Sequence, residues 1–199
     1  MEQVIATSLK ECMPSFKAFL GSLLRKIPSY KVERRPNVHF FRELLARYPP
    51  ELPKVEINPK EDLAVLQYTG GTTGVPKGAM LTHFNLLSNA VMYNKWLRSK
   101  PAKDVHLTLL PLYHIYGMTM VMNAVISLAG TMVMLPKFNP EEVLSVIQKY
   151  RVTVFCGVPT IYAFLVSHPA IGKYDLSSIK FCISGFAPLP PEVQRNSWN

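Results

Sequence analysis

The sequence predicts an α/β fold: repeated β-α units around a largely parallel sheet. Three observations predict it. From Glu61 onward, short apolar runs alternate with longer amphipathic segments, the pattern of strands each followed by a helix. The strand-like runs LAVLQY at 63–68, VTVFC at 152–156 and IKFCI at 179–183 are apolar with little alternation, so both faces of the sheet are expected to be covered. Cap signals punctuate the junctions. The clearest is Asn139-Pro140-Glu141-Glu142, an N-cap, a proline at the first helical position and two acids at the positive end of the helix dipole.

Taken in order, Ser15–Ile27 carries Phe16, Phe19, Leu20, Leu23, Leu24 and Ile27 at i, i+3, i+4 spacing, with Lys17, Arg25 and Lys26 at polar positions. That predicts an amphipathic helix, either packed on its own domain or lying basic side outward on a lipid surface. Residues 28–59 are rich in proline and charge and read as irregular, apart from a short helix near Val38–Arg47. Strands are expected at Leu63–Tyr68 and Gly78–Leu81, followed by a helix capped by Thr82 and running to about Arg98. Then come a strand at Val105–Leu110, a buried helix at Ile115–Leu128 and a strand at Thr131–Leu135. The Asn139-capped helix runs to about Tyr150, and Val152–Cys156, Thr160–Ser167 and Ile179–Ile183 read as strand, helix and strand. Pro190-Pro191-Glu192 opens a last helix. The uncharged run Gly117–Leu135 nears the length of a membrane span, but Asn123, Ser127, Gly130 and Thr131 interrupt it, and a buried helix followed by a buried strand is expected. Two parts result: a basic linking segment with its amphipathic helix, 1–59, and an α/β domain, 60–199.

Hydrophobic residues make up 48% and charged residues 18%, which excludes a disordered chain. The net charge is +9, and residues 1–50 hold nine Lys or Arg against four Glu, so an anionic partner is expected: a phosphorylated ligand or a lipid surface. No helix-turn-helix spacing, zinc pattern or RNP-type aromatic motif is present, and nucleic acid is not expected. Cys12, Cys156 and Cys182 form no CxxC pair; three scattered cysteines argue against a disulfide framework and predict a cytoplasmic protein. The N-terminus has no apolar signal-peptide core.

The chemistry concentrates in Tyr68-Thr69-Gly70-Gly71-Thr72-Thr73-Gly74-Val75-Pro76-Lys77-Gly78. Ahead of Lys77, three glycines let backbone N–H groups approach an anion and three threonine hydroxyls donate to phosphate oxygens or help order a Mg²⁺, and Lys77 supplies a point charge. The run is not the GxxxxGK[ST] loop, because Gly78 follows Lys77 where that loop needs its hydroxyl ligand. A second cluster is Tyr113-His114-Ile115-Tyr116-Gly117, an imidazole between aromatics at a strand-to-helix turn, able to orient a carboxylate by a hydrogen bond.

The glycine-threonine run, continued as Ala79-Met80-Leu81-Thr82-His83-Phe84-Asn85-Leu86, resembles the signature phosphate loop of the adenylate-forming superfamily, which includes acyl-CoA synthetases, firefly luciferase and peptide-synthetase adenylation domains. The wording LQYTGGTTG is most similar to the fatty-acid–CoA ligase branch. Leu110-Pro111-Leu112-Tyr113-His114-Ile115-Tyr116-Gly117 resembles that family's aromatic motif, and Ser184-Gly185-Phe186-Ala187-Pro188-Leu189 its SGGAPL segment, with Phe186 in place of a commoner small residue. Gly157-Val158-Pro159-Thr160 resembles a recurrent turn on the substrate side.

The resemblance covers nearly the whole chain. It implies an incomplete part of the family's large N-terminal domain, ending before the YGxTE segment, the ribose-binding aspartate and the C-terminal domain with the adenylation lysine. It implies activation of a long-chain fatty acid by ATP to acyl-AMP, then transfer to CoA, with Mg²⁺. By resemblance, Thr69, Gly70, Gly71, Thr72, Thr73, Gly74 and Lys77 hold the phosphates, and Thr72 stands nearest the metal. His114 is the catalytic group that orients the carboxylate, and Tyr113, Tyr116 and Gly117 line the acyl pocket. Gly185, Phe186, Ala187 and Pro188 border the adenylate, where a phenyl ring narrows or gates the pocket. Peripheral membrane contact through Phe16–Ile27 and self-association or a complementing chain are expected. Two other readings stand beside this one: a non-catalytic or split-enzyme subunit that binds a partner or membrane, and an ADP-releasing P-loop NTPase or kinase.

Overall fold

The computed structural model describes residues 3–24, 27, 30–69, 74 and 76–196. The chain divides into two compact units, Met1–Glu56 and Ile57–Asn199.

In the first unit, β1 (Val4–Ala6) pairs in parallel with β2 (Val38–Phe40), Val4 opposite Val38 and Ala6 opposite Phe40. Between them lie a 3₁₀ turn at Leu9–Cys12, capped by Ser8, and α1 (Ser15–Leu23). The helix is shorter than the periodicity predicts, and Phe16, Phe19, Leu20 and Leu23 on it are all exposed. α2 (Phe41–Arg47) follows β2 directly, so the segment read as one short helix is a strand turning into a helix. Arg34 braces it, pairing with Glu43 at 2.6 Å and lying over the Phe40 ring at 4.6 Å.

The second unit opens with an antiparallel pair, β3 (Leu63–Thr69) and β4 (Lys77–Thr82). Thr82 then caps α3 (His83–Trp96): its hydroxyl accepts from the Asn85 N–H, and the Asn85 side chain accepts in return from the Thr82 N–H. The four remaining strands, β5 (Val105–Thr108), β6 (Thr131–Met134), β7 (Val154–Gly157) and β8 (Phe181–Ser184), form a wholly parallel sheet in the order β6-β5-β7-β8. The predicted helix after β5 is wound as a π-helix over Gly117–Asn123 before one α turn, α4 (Ala124–Ser127). α5 (Pro140–Tyr150) starts as its sequence demands, with the Asn139 side chain accepting from the Glu142 N–H at 3.0 Å. It ends on Arg151 in the left-handed conformation. α6 (Pro159–Val166) links β7 to β8, and α7 (Pro191–Asn196) follows.

Both faces of the sheet are covered. On one, Leu107, Phe155, Val143, Leu144, Ile147, Tyr162 and Leu165 pack β5 and β7 against α5 and α6. On the other, Val154 and Cys156 meet Ala90 and Tyr93 of α3 and its C-cap Leu97, with Val121 and Ala124 of the helix after β5. At the amino ends of the strands, Asp104 accepts from the Thr153 hydroxyl at 3.2 Å and from Lys180 at 3.4 Å, tying the approaches to β5, β7 and β8 together. Among the described residues, no helix is long and apolar enough to cross a membrane.

Candidate active site

The strand order places the site. Chain leaving β5 turns toward β6, whereas chain leaving β7 turns toward β8. The carboxyl ends of β5 and β7 therefore mark a topological switch point, the place where ligands of open parallel sheets bind. Leu109–His114 follows β5, Val158 follows β7, and Gly185 and Phe186 follow β8. The parallel sheet thus carries two of the predicted clusters to the same edge.

His114 is half-buried at this edge. The Tyr116 N–H donates to its Nδ1 at 3.2 Å, which assigns the ring proton to Nε2 and makes that nitrogen a donor. Its backbone carbonyl accepts from the Met118 N–H at 2.8 Å and so begins the following helix. The Phe186 ring lies beside the imidazole, centroids 4.8 Å apart and planes at 47°. Tyr116 links the two clusters. Its hydroxyl donates to the Ile183 carbonyl at 2.9 Å, and its ring lies where a Cβ on Gly185 would come within 2.8 Å. Only glycine fits at 185 with the tyrosine in place. Gly117 is similarly constrained, because a Cβ there would run into the Pro111 carbonyl oxygen.

The sequence marks Tyr162 only as part of a helix. Its hydroxyl donates to the Phe155 carbonyl at 2.7 Å and to the Ile183 carbonyl at 3.0 Å, so two tyrosines hold the end of β8. No local signal in the sequence announces this, since Tyr162 and Ile183 are 21 residues apart. Burial raises the Tyr116 and Tyr162 phenols above their ordinary values and keeps both as neutral donors. Burial likewise lifts the nearby Cys156 thiol to about 11, and the Tyr93 hydroxyl lies 3.2 Å from its sulfur. Cys156 is a core residue and not a nucleophile.

The phosphate-loop residues fall elsewhere. Thr69 and Lys77 face each other as the last register pair of the β3–β4 hairpin, and the Thr69 hydroxyl donates to the Lys77 carbonyl at 3.4 Å. Both are exposed, and Gly74 has φ +81°, a conformation that suits glycine. Gly70, Gly71, Thr72 and Thr73 lie outside the described residues. Of the other predicted residues, Tyr113 is 82% exposed, and Ala187 and Pro188 are exposed on the loop after Phe186. A cavity of about 650 Å³ lined by Leu144, Phe155, Tyr162, Tyr174 and Cys182 lies on the α5–α6 face, away from the packing face that Tyr116 shares.

A family model described as AMP-binding enzyme matches residues 11–199. The chain is 44% identical over 198 residues to a long-chain-fatty-acid–CoA ligase of Bacillus subtilis (strain 168), an alignment covering 98% of this chain and 35% of that protein. It is 33% identical over 196 residues to a probable 4-coumarate–CoA ligase 1 of Dictyostelium discoideum, covering 96% of this chain and 36% of that protein. The fold matches the crystal structure of ATP-bound MatB from Rhodopseudomonas palustris with a TM-score of 0.73 at 30% identity, covering 98% of this chain and 37% of that one. The chain therefore spans about a third of the length of the curated relatives it matches. With a family match over residues 11–199 and this parallel sheet, the chain belongs to the AMP-binding enzyme family.

Proposed function

We propose that this chain supplies the phosphate loop and part of the acyl pocket of an AMP-forming fatty-acid–CoA ligase. The observation that carries the reading is the His114 corner, a fixed Nε2–H donor at the switch-point edge of the sheet. A donor held there suits a carboxylate, because its orientation is set before the acid arrives. His114 orients the acid, and Tyr113, Tyr116 and Gly117 form the wall beside it. Gly185, Phe186, Ala187 and Pro188 border the adenylate.

Thr69 and Lys77 fit a polyphosphate: both are exposed, they stand opposite each other in the hairpin, and they flank the glycine-rich run in sequence. They hold the terminal phosphates together with Gly70, Gly71, Thr72, Thr73 and Gly74. Thr72 would help to hold Mg²⁺, which would supply positive charge against the phosphates. Joining a carboxylate to ATP brings two anions together, so neutralisation by Lys77 and positioning by His114 are the contributions asked of this chain. CoA enters as the second substrate. The identity to the Bacillus subtilis ligase supports a long-chain fatty acid, and the coumarate ligase makes an aryl acid the alternative. The exposed Phe16, Phe19 and Leu23 of α1 support peripheral contact with a lipid surface or a second chain.

The test is acid-dependent ATP–pyrophosphate exchange with decanoate, palmitate and 4-coumarate, and with Lys77→Ala as control. Exchange with the fatty acids that disappears in the variant supports the reading. Exchange with coumarate alone moves the substrate to the aryl class. Release of ADP returns the NTPase reading, and nucleotide-independent binding to liposomes the non-catalytic one.

A further inference from the structure

Among the described residues, the one least suited to its own backbone is Phe186. Its φ is +81°, a region that side-chain-bearing residues rarely adopt, and burial does not compensate, because the residue is 75% exposed. Its contact with His114 is the favourable interaction on view. The flanking chain enforces the conformation. The Ile183 carbonyl accepts from both Tyr116 and Tyr162, the Gly185 N–H donates to the Gly157 carbonyl at 3.1 Å, and Leu189 packs into the core. Local strain that the surroundings impose in this way concentrates at functional positions. The imidazole then has two restraints, the Tyr116 N–H at Nδ1 and the Phe186 ring beside it, with Nε2–H left to donate.

We propose that Phe186 is a positioning residue, held in a left-handed backbone conformation so that its ring fixes the His114 imidazole for the carboxylate of the acid substrate. The purpose assigned to the ring rests on the proposed role of His114, and the experiment separates the two. Phe186→Ala removes the ring and keeps the unfavourable φ; Phe186→Gly removes both; Phe186→Tyr keeps the ring. Three readouts are compared: thermal midpoint, the His114 imidazole resonances by heteronuclear NMR, and decanoate affinity by calorimetry with ATP and Mg²⁺ present.

The glycine variant is expected to melt about 2–4 °C above the alanine variant, which isolates the strain. Both should broaden the imidazole resonances and weaken decanoate binding by about threefold to tenfold, the span of an aromatic pair. Phe186→Tyr should recover most of that affinity. Imidazole resonances unchanged in the glycine and alanine variants would overturn the proposal whatever the affinities do. If the resonances broaden but His114→Ala binds decanoate as the parent does, the His114 reading fails, and the purpose given to Phe186 fails with it.

Discussion

The hairpin that carries Lys77 and the corner that carries His114 are built on opposite plans. Lys77 stands exposed on a two-stranded ribbon opposite Thr69, whose hydroxyl reaches its backbone carbonyl only at 3.4 Å. His114 is half-buried and held by the Tyr116 N–H and the Phe186 ring, while Tyr116 itself is fastened to β8. The difference follows from the ligands proposed for each. A point charge on a flexible stem acts on a polyphosphate from many directions, whereas a carboxylate hydrogen bond needs one nitrogen, in one tautomer, in one place. Substitutions in the corner should therefore alter folding and function together, and those in the hairpin should alter function alone.

The largest expected effect tests the sheet beneath the corner. His106 on β5 is buried, and burial lowers its pKa from 6.5 to about 4. A histidine kept neutral in the folded state contributes stability that is complete above pH 6.5 and is lost as the pH falls toward 4, because the unfolded chain takes up the proton first. The loss should be at most about 3 kcal/mol, read from urea unfolding at pH 7.5 and 4.5, and His106→Gln should flatten it. Next, Gly117→Ala should destabilise the chain by about 2–3 kcal/mol by forcing Cβ onto the Pro111 carbonyl. Unchanged urea stability would show that the corner is not rigid. Lys77→Ala should leave stability within about 0.5 kcal/mol yet reduce ATP affinity by about 2 kcal/mol, roughly 30-fold. Calorimetry paired with a melting curve checks both halves. Smallest, Tyr116→Phe should cost about 1 kcal/mol of stability through the lost bond to Ile183, measured by urea unfolding.

What was legible in the sequence was local. Asn139-Pro140 and Thr82 announce their helices because a cap and its partner lie three residues apart. The glycine-threonine run announces a phosphate loop because its chemistry sits in one short stretch. What was not legible depends on distant partners. β1 and β2 are three residues each and join residues 34 apart, so neither carries a pattern of its own. β7 begins at Val154 and β8 at Phe181, each two residues inside the apolar run that predicts it, because sheet registry and not hydrophobicity sets the strand ends. The roles of Tyr116 and Tyr162 come from hydrogen bonds to Ile183, which spacing does not show. Phe186 conceals its φ of +81°, since phenylalanine is a poor signal for a left-handed residue.

The central claim is the division of labour between hairpin and corner, and ATP titration of the parent chain, Lys77→Ala and His114→Ala tests it most directly. The account predicts that Lys77→Ala loses ATP affinity about 30-fold while His114→Ala keeps that of the parent. Parent-like ATP binding by Lys77→Ala, or an equal loss in His114→Ala, would contradict it.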